Sequence, residues 1–316
     1  MSKPKLDPDH YVAPFDESQI AEIDTVRLGA HKSNIWLDAW RDLRRRPLFY
    51  VAILIVAVFV IMALFPTWFT QVAPNNGCEL SNSNGGPAAG HPLGFTRQGC
   101  DVYARVAWGA RTSISVGLLT VAVTAVLGIP MGAIAGFYGG WVDSLLSRIG
   151  DIFFSVPYFL AAIVVMTVFR DYRNVLTLAV AIGGFAWASL ARILRAEVLQ
   201  VKNQDYVMAS AAVGRSRFST LIRHVLPNSL TPVIVSLTIS LGAAIVAEAT
   251  LSFLGIGLPA GVMSWGRDIS EAQTTIRTSP MALMWPSLAL TVTVLAFIVL
   301  GELIRDALDP KARARR

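Results

Sequence analysis

The sequence predicts an all-α integral membrane protein with six transmembrane helices, and composition, apolar run length and the placement of basic residues each point to it. The 316 residues are 54% hydrophobic and only 15% charged, with a mean hydropathy of +0.54, a balance that soluble domains seldom have. Six apolar runs are long enough to cross the hydrocarbon core as helices: 48–69, 112–137, 152–169, 174–191, 229–258 and 281–304. Six crossings put 20 of the 27 Lys and Arg on one side and 7 on the other. The basic side is the cytoplasmic one, so both termini are expected there. The net charge of +6 therefore reflects topology, and no basic stretch interleaved with stacking aromatics points to nucleic acid.

Residues 1–47 form the first unit. Residues 1–30 are polar, mixed in charge and carry Pro4, Pro8 and Pro14, as expected of a mobile cytoplasmic tail. Ile35, Trp36, Leu37, Trp40 and Leu43 then alternate with Asp38, Arg41, Arg44, Arg45 and Arg46, predicting an amphipathic basic helix suited to membrane lipid headgroups. The first span, 48–69, begins too late and runs too long for a cleavable signal peptide and is expected to remain as an anchor.

The outward loop 70–110 is rich in Asn, Gly, Ser and Pro and holds both cysteines, Cys78 and Cys100. On an exported face, two cysteines and no others favour a disulfide. Metal binding through Cys78, His91 and Cys100 is a weaker alternative, because no pair of these has the close spacing that such sites use.

The core, 111–305, holds the other five spans, with Pro130 a candidate kink in the second. Gly136, Gly139 and Gly140 predict a tight cytoplasmic hairpin, with Trp141 at the interface and Asp143, Arg148 and Asp151 where water or a neighbouring Arg can satisfy them. Glu248 is the one carboxylate deep in a span, which makes it a candidate for the translocation path or for a buried structural partner. Gly255 and Gly257 would let the chain break and re-enter, with Ser264, Trp265 and Gly266 capping a pore mouth. Asp306, Asp309 and Pro310 are expected to stop the last helix beside the basic tail, 306–316.

The stretch that interrupts this pattern is the polar island 205–228. Ala209, Ala211 and Ala212 favour a helix over 204–213, and Gly214 suits the left-handed residue that ends one. Ser216 can cap a second helix with Phe218, Leu221, Ile222 and Val225 on an apolar face and Arg217, Thr220, Arg223 and His224 elsewhere. Pro227 is expected to close the segment and open the next span. A helix, turn and helix lying on the membrane surface follows.

That island resembles the cytoplasmic coupling loop of ABC importer permeases, whose pattern is Glu-Ala-Ala, three residues, Gly, a spacer, then an apolar residue and Leu-Pro. Ala209, Gly214, Leu226 and Pro227 match, while Met208 and Ser210 replace the usual Glu and second Ala. Further blocks resemble the dipeptide, oligopeptide and nickel branch of that family. In the outer loop these are Leu93, Gly94, Gly99 and Asp101, followed by Gly109, Ala110, Arg111 and Ser113; Phe95, Thr96 and Cys100 depart from the pattern. Gly136, Gly139, Gly140, Trp141, Asp143, Arg148, Asp151 and Pro157 match next, then the stretch from Ala247 to Gly266 and the ending at Pro310. Cys100 stands where the family has Arg, which fits its pairing with Cys78.

The resemblance implies a type I ABC importer transmembrane domain with a coupling loop at 204–228. It implies that Asp205, Tyr206, Met208, Ala209, Ser210, Ala211, Gly214, His224, Leu226 and Pro227 meet an ATPase. It further implies a second homologous permease as heterodimer partner, two ABC ATPase subunits that hold ATP and magnesium, and an extracytoplasmic substrate-binding protein. The implied cargo is a di- or oligopeptide; nickel chelates and oligosaccharides are the alternatives. The residues themselves supply no phosphate-binding Gly-Lys-Ser or Gly-Lys-Thr loop, no His-Glu-x-x-His and no Cys-x-x-Cys, so no catalytic or metal residues are expected in this chain. A secondary transporter driven by ions would need buried ionisable clusters, and here there is one buried Glu.

Overall fold

The computed structural model describes residues 35–308. The expected tail at 1–30 and the stop at Asp309 and Pro310 lie outside the described residues. In chain order the helices are α1 (Ile35–Leu43), α2 (Pro47–Leu64), α3 (Val102–Tyr138), α4 (Gly140–Ser155), α5 (Tyr158–Val168), α6 (Val175–Val201), α7 (Asp205–Ala212), α8 (Arg217–Thr220), α9 (Leu226–Phe253), α10 (Trp265–Ala272) and α11 (Met281–Leu308). Among the described residues there is no strand, only two isolated bridges that pair Ala88 with His91 and Phe95 with Asp101.

Five helical stretches are long and apolar enough to cross a membrane, and a sixth crossing exists if α4 and α5 count together. The expected third span, 152–169, is not one helix. Pro157 has no N–H to donate and pushes Val156 into an extended conformation (φ −91°, ψ 120°), so α4 and α5 meet at 77°. The expected glycine hairpin is likewise shorter than predicted: Gly139, at φ +66°, ends α3, and Gly140 already belongs to α4. By contrast α3 runs on through Pro130 as a single 37-residue helix that begins at Val102, well before the predicted 112.

Along the seam between α3 and α6 the packing is close approach of backbones, as small residues permit between membrane helices. Gly128, Gly132 and Gly136 recur every four residues along one face of α3. A Cβ at each would come 3.0 Å from Trp187 O, 2.4 Å from Ala191 O and 2.8 Å from Arg195 O, which recur with the same period along α6. Gly183 of α6 returns the fit, 2.7 Å from Thr120 O.

At the basic end, α1 packs Ala39 and Leu43 against Leu303, Ala307 and Leu308 of α11. Leu37 and Trp40 are exposed, as residues expected to meet lipid headgroups would be, and the i, i+4 stripe that faces α11 runs through Ala39 and Leu43. Arg46 joins the two ends of the bundle, donating to Asp42 Oδ2 at 2.7 Å and to Asp306 Oδ2 at 3.0 Å. Asp306 lies in the last described turn of α11 and serves as an ion-pair partner.

Candidate functional site

The island 205–228 is built as a bracket. Helix α7 is one residue shorter at each end than predicted, and Val207 is its only buried side chain. Val207 joins Val198 of α6, Ala133 of α3, Leu221 and Val225 of the following turn and Val233 of α9 in one apolar cluster. Tyr206, Met208, Ala209 and Ala211 are exposed, as is Asp205 in the first turn, where its charge favours the helix dipole; Ser210 is half-buried. Gly214 adopts φ +80°. Gly214 N donates to Ala211 O and Arg215 N to Ser210 O, the paired bonds of a left-handed helix stop.

Ser216 caps α8 as predicted, its Oγ accepting from Ser219 N at 3.3 Å. The second predicted helix does not lie separately on a surface. A five-residue π turn, Leu221–Val225, carries α8 into α9, so that Arg217–Phe253 is one continuous stretch. The wider turn lets the helix run past Pro227, whose missing N–H falls where the ladder is already re-registered. The buried face is Thr220, Leu221 and Val225, whereas Phe218 and Ile222, predicted with them, are exposed. His224 Nε2 lies 2.7 Å from Arg215 Nη1, and the His224 carbonyl accepts from Asn228 Nδ2 at 2.6 Å, which ties the Gly214 turn to the start of α9. Leu226 is half-buried and Pro227 exposed.

Two further contacts stiffen the base of the bracket. Lys202 Nζ donates to the carbonyl of Gly136 at 2.7 Å, and Arg195 grips Asp143 with Nε on Oδ1 and Nη2 on Oδ2, the latter at 2.6 Å. Asp151 accepts from Arg192 at 3.1 Å, so both carboxylates of the predicted hairpin are satisfied by arginines. Beside α7 a cleft of about 280 Å³ is lined by Tyr138, Lys202, Met208, Ala211, Arg215 and Arg217.

Glu248 is fully buried, but at a helix junction. Ser113 of α3 donates to its Oε2 at 2.9 Å and Ser252 to its Oε1 at 2.8 Å, while Trp265 N donates to Ser113 Oγ at 3.3 Å. The expected cap over a pore mouth is part of this core. Trp265 is completely buried, donates Nε1 to Val106 O at 2.9 Å and meets Phe59 edge-on at 5.5 Å. Gly266 lets α10 sit on α9, where a Cβ would come 2.3 Å from Ala249 Cα. The fifth span also ends earlier than predicted, at Phe253, and Gly255 at φ +74° turns the chain.

At the far end of the bundle Cys78 and Cys100 are joined, with their Cα atoms 4.2 Å apart; the bonded sulfurs are not free thiolates, which removes the metal alternative with His91. Next to this bridge, Arg105 lies buried with Asp268 and also donates to Glu271 Oε2 at 3.0 Å. Burial is the dominant influence on Asp268 and, opposed by Arg105, pushes its carboxyl up to about 6. Sequence reasoning missed this pair, whose members are 163 residues apart. It also missed the α3 glycine stripe, for which the four-residue spacing was a visible signal.

Residues 128–314, more than half of the chain, match the family described as binding-protein-dependent transport system inner membrane component. The chain belongs to that family. As an inner membrane component of this kind it carries both the bracket and Glu248 inside the matched region, and residues 34–85 match the N-terminal TM domain of oligopeptide transport permease C. The chain is 34% identical over 290 residues to the oligopeptide transport system permease protein OppC of Bacillus subtilis, covering 92% of this chain and 94% of that one. It is also 34% identical over 281 residues to the dipeptide transport system permease protein DppC of Alkalihalophilus pseudofirmus, covering 88% and 91%. The same identity, over 278 residues and 88% and 91% of the chains, relates it to the glutathione transport system permease protein GsiD of Escherichia coli O157:H7. Among solved structures, an inward-facing MetNI methionine ABC transporter superposes with a TM-score of 0.54 at 18% identity, over 65% of this chain and 96% of that one. That likeness shows that the inner membrane component has the fold of an ABC importer transmembrane subunit.

Proposed function

We propose that this chain is one of two membrane-spanning subunits of an ATP-driven importer of di- or oligopeptides in the plasma membrane of a prokaryote, with both termini in the cytoplasm. A homologous permease completes the pathway, two ATPase subunits supply energy from ATP and magnesium, and an extracytoplasmic binding protein delivers the cargo. The peptide cargo is supported by relatives named for oligopeptides, dipeptides and glutathione.

The observation that carries the reading is α7: an exposed eight-residue helix anchored through Val207 alone and set in the chain between the spans α6 and α9. A helix so placed offers Tyr206, Met208, Ala209 and Ala211 to a groove on an ATPase. Motion of that ATPase passes through the Val207 cluster into α3, α6 and α9 at once, and rigid elements sharing a packed junction turn together. Gly214 and Pro227 then act through shape, and His224 through its hold on Arg215.

Gly214→Asp tests the assignment. An added Cβ meets no atom within 4 Å, but the residue is forced into φ +80°, so the bracket is strained while the spans are untouched. The expected result is normal membrane insertion and ATP hydrolysis no longer linked to peptide uptake. Wild-type uptake by that variant would refute the coupling role.

A further inference from the structure

Midway along α3, α6 and α9 lies a cavity of about 190 Å³ whose lining includes the hydroxyl-bearing residues Thr120, Thr124, Tyr158, Ser189, Ser236 and Ser240. The rest of its lining is apolar, and it includes no charged side chain. Some hydroxyls elsewhere in the membrane helices are satisfied within their own helix. Thr167, Ser229, Thr238, Thr250 and Ser287 each donate to the carbonyl four residues earlier, at 2.7–2.9 Å, the usual way for a hydroxyl to satisfy itself in a helix. Among the described residues Thr124, Ser189, Ser236 and Ser240 have no such bond, whereas Thr120 Oγ1 is buried out of reach of solvent with no hydrogen-bond partner. A group of unbonded hydroxyls converging on one space in the bilayer interior is costly unless something polar enters that space.

We propose that this cavity is a peptide-backbone subsite on the translocation path, taking the uncharged amide groups of a peptide in transit. The inference rests on the importer reading above and adds the substrate chemistry of one place within it. Each hydroxyl can both donate and accept, so the set matches amide N–H and C=O groups in either orientation. A charged side chain on the wall would instead hold one ligand charge and reject the other. With room for about six waters, the cavity holds a short stretch of backbone, and peptides of differing side-chain charge are treated alike. A lipid acyl chain is the rival occupant, but it would leave all of these hydroxyls without partners.

The test uses the complete transporter in proteoliposomes, with its ATPases and binding protein and with partner subunits freed of cysteine. Because Cys78 and Cys100 are bonded to each other, Ser240→Cys introduces a distinguishable thiol. A small charged methanethiosulfonate should label it, and saturating trialanine with ATP should slow labelling at least fivefold. Labelling that trialanine leaves unchanged overturns the subsite, and so does reaction only with a membrane-dissolved maleimide, which would mark a lipid groove. Thr124→Val, which keeps the shape and removes the hydroxyl, should lower trialanine uptake by about three- to tenfold, the effect of one neutral hydrogen bond; unchanged uptake overturns the proposal. ATP-dependent uptake by the wild-type complex is measured alongside. Its absence sinks the importer reading and the subsite with it, whereas uptake without protection sinks the subsite alone.

Discussion

Arg105 donates through both Nε and Nη2 to a single oxygen of Asp268, Oδ1, with the Nε bond at 2.8 Å, and leaves Asp268 Oδ2 buried and unbonded. The carboxylate is thus half satisfied, which is why burial outweighs the neighbouring arginines and raises its proton affinity.

A pH dependence follows from that imbalance. Asp268 loses its proton near 3.8 when unfolded and near 6 when folded, so between those values the folded state holds more protons than the unfolded one. Stability therefore falls as pH rises through this window, by on the order of 3 kcal/mol in total. Thermal unfolding in detergent should give a higher midpoint at pH 4 than at pH 6.5. Asp268→Asn should flatten the slope relative to wild type; equal slopes would count against this account.

The glycine stripe on α3 predicts a sharp contrast between two glycines. Gly132→Ala puts a methyl 2.4 Å from Ala191 O, whereas Gly150→Ala on α4 meets nothing within 4 Å. The first should destabilise by about 1–3 kcal/mol through overpacking against backbone, and the second should be neutral or slightly stabilising. Unfolding midpoints of the two variants, compared under one condition, decide the matter.

Glu248 accepts hydrogen bonds from two serines on two helices. Glu248→Ala should cost about 2–4 kcal/mol, because Ser113 and Ser252 lose their acceptor and a cavity opens. Glu248→Gln keeps an acceptor and should cost clearly less. A thermal melt in which the two variants behave alike would show that the serine bonds contribute little.

The bridge between Cys78 and Cys100 closes a loop across 22 positions and should contribute about 3 kcal/mol in the chain-entropy picture. Alkylation of native protein without reductant should leave both cysteines unmodified. Reduction should lower the unfolding midpoint, and the double Cys→Ser variant should reproduce the reduced value.

What could be read in advance follows physical lines. Run length located the spans, because the bilayer demands it. Gly214 and Ser216 announced their turn, because positive φ and capping are local demands met by local residue types. The 77° bend at Val156 and Pro157 was hidden inside an apolar run, since hydropathy does not register backbone direction. Trp265 is expected from the sequence to cap a pore mouth beyond the turn at Gly255 and Gly257; only the three-dimensional fit of Gly109 against it reveals the core position. The π turn at Leu221–Val225 re-phased the helix and moved Phe218 and Ile222 off the buried face, a shift that a strict 3.6-residue period cannot anticipate. The pairing of Arg105 with Asp268 had no local signature at all.

Arg46 reaches both Asp42 and Asp306, so the opening and closing helices of the described chain are stitched at one guanidinium. Purification tags and truncations at either terminus then act on a shared seam: a fusion that pries α1 away also strips α11 of its clasp. Expression trials that treat the two ends as independent would misread the damage, and a tag spaced well clear of α1 is the safer design.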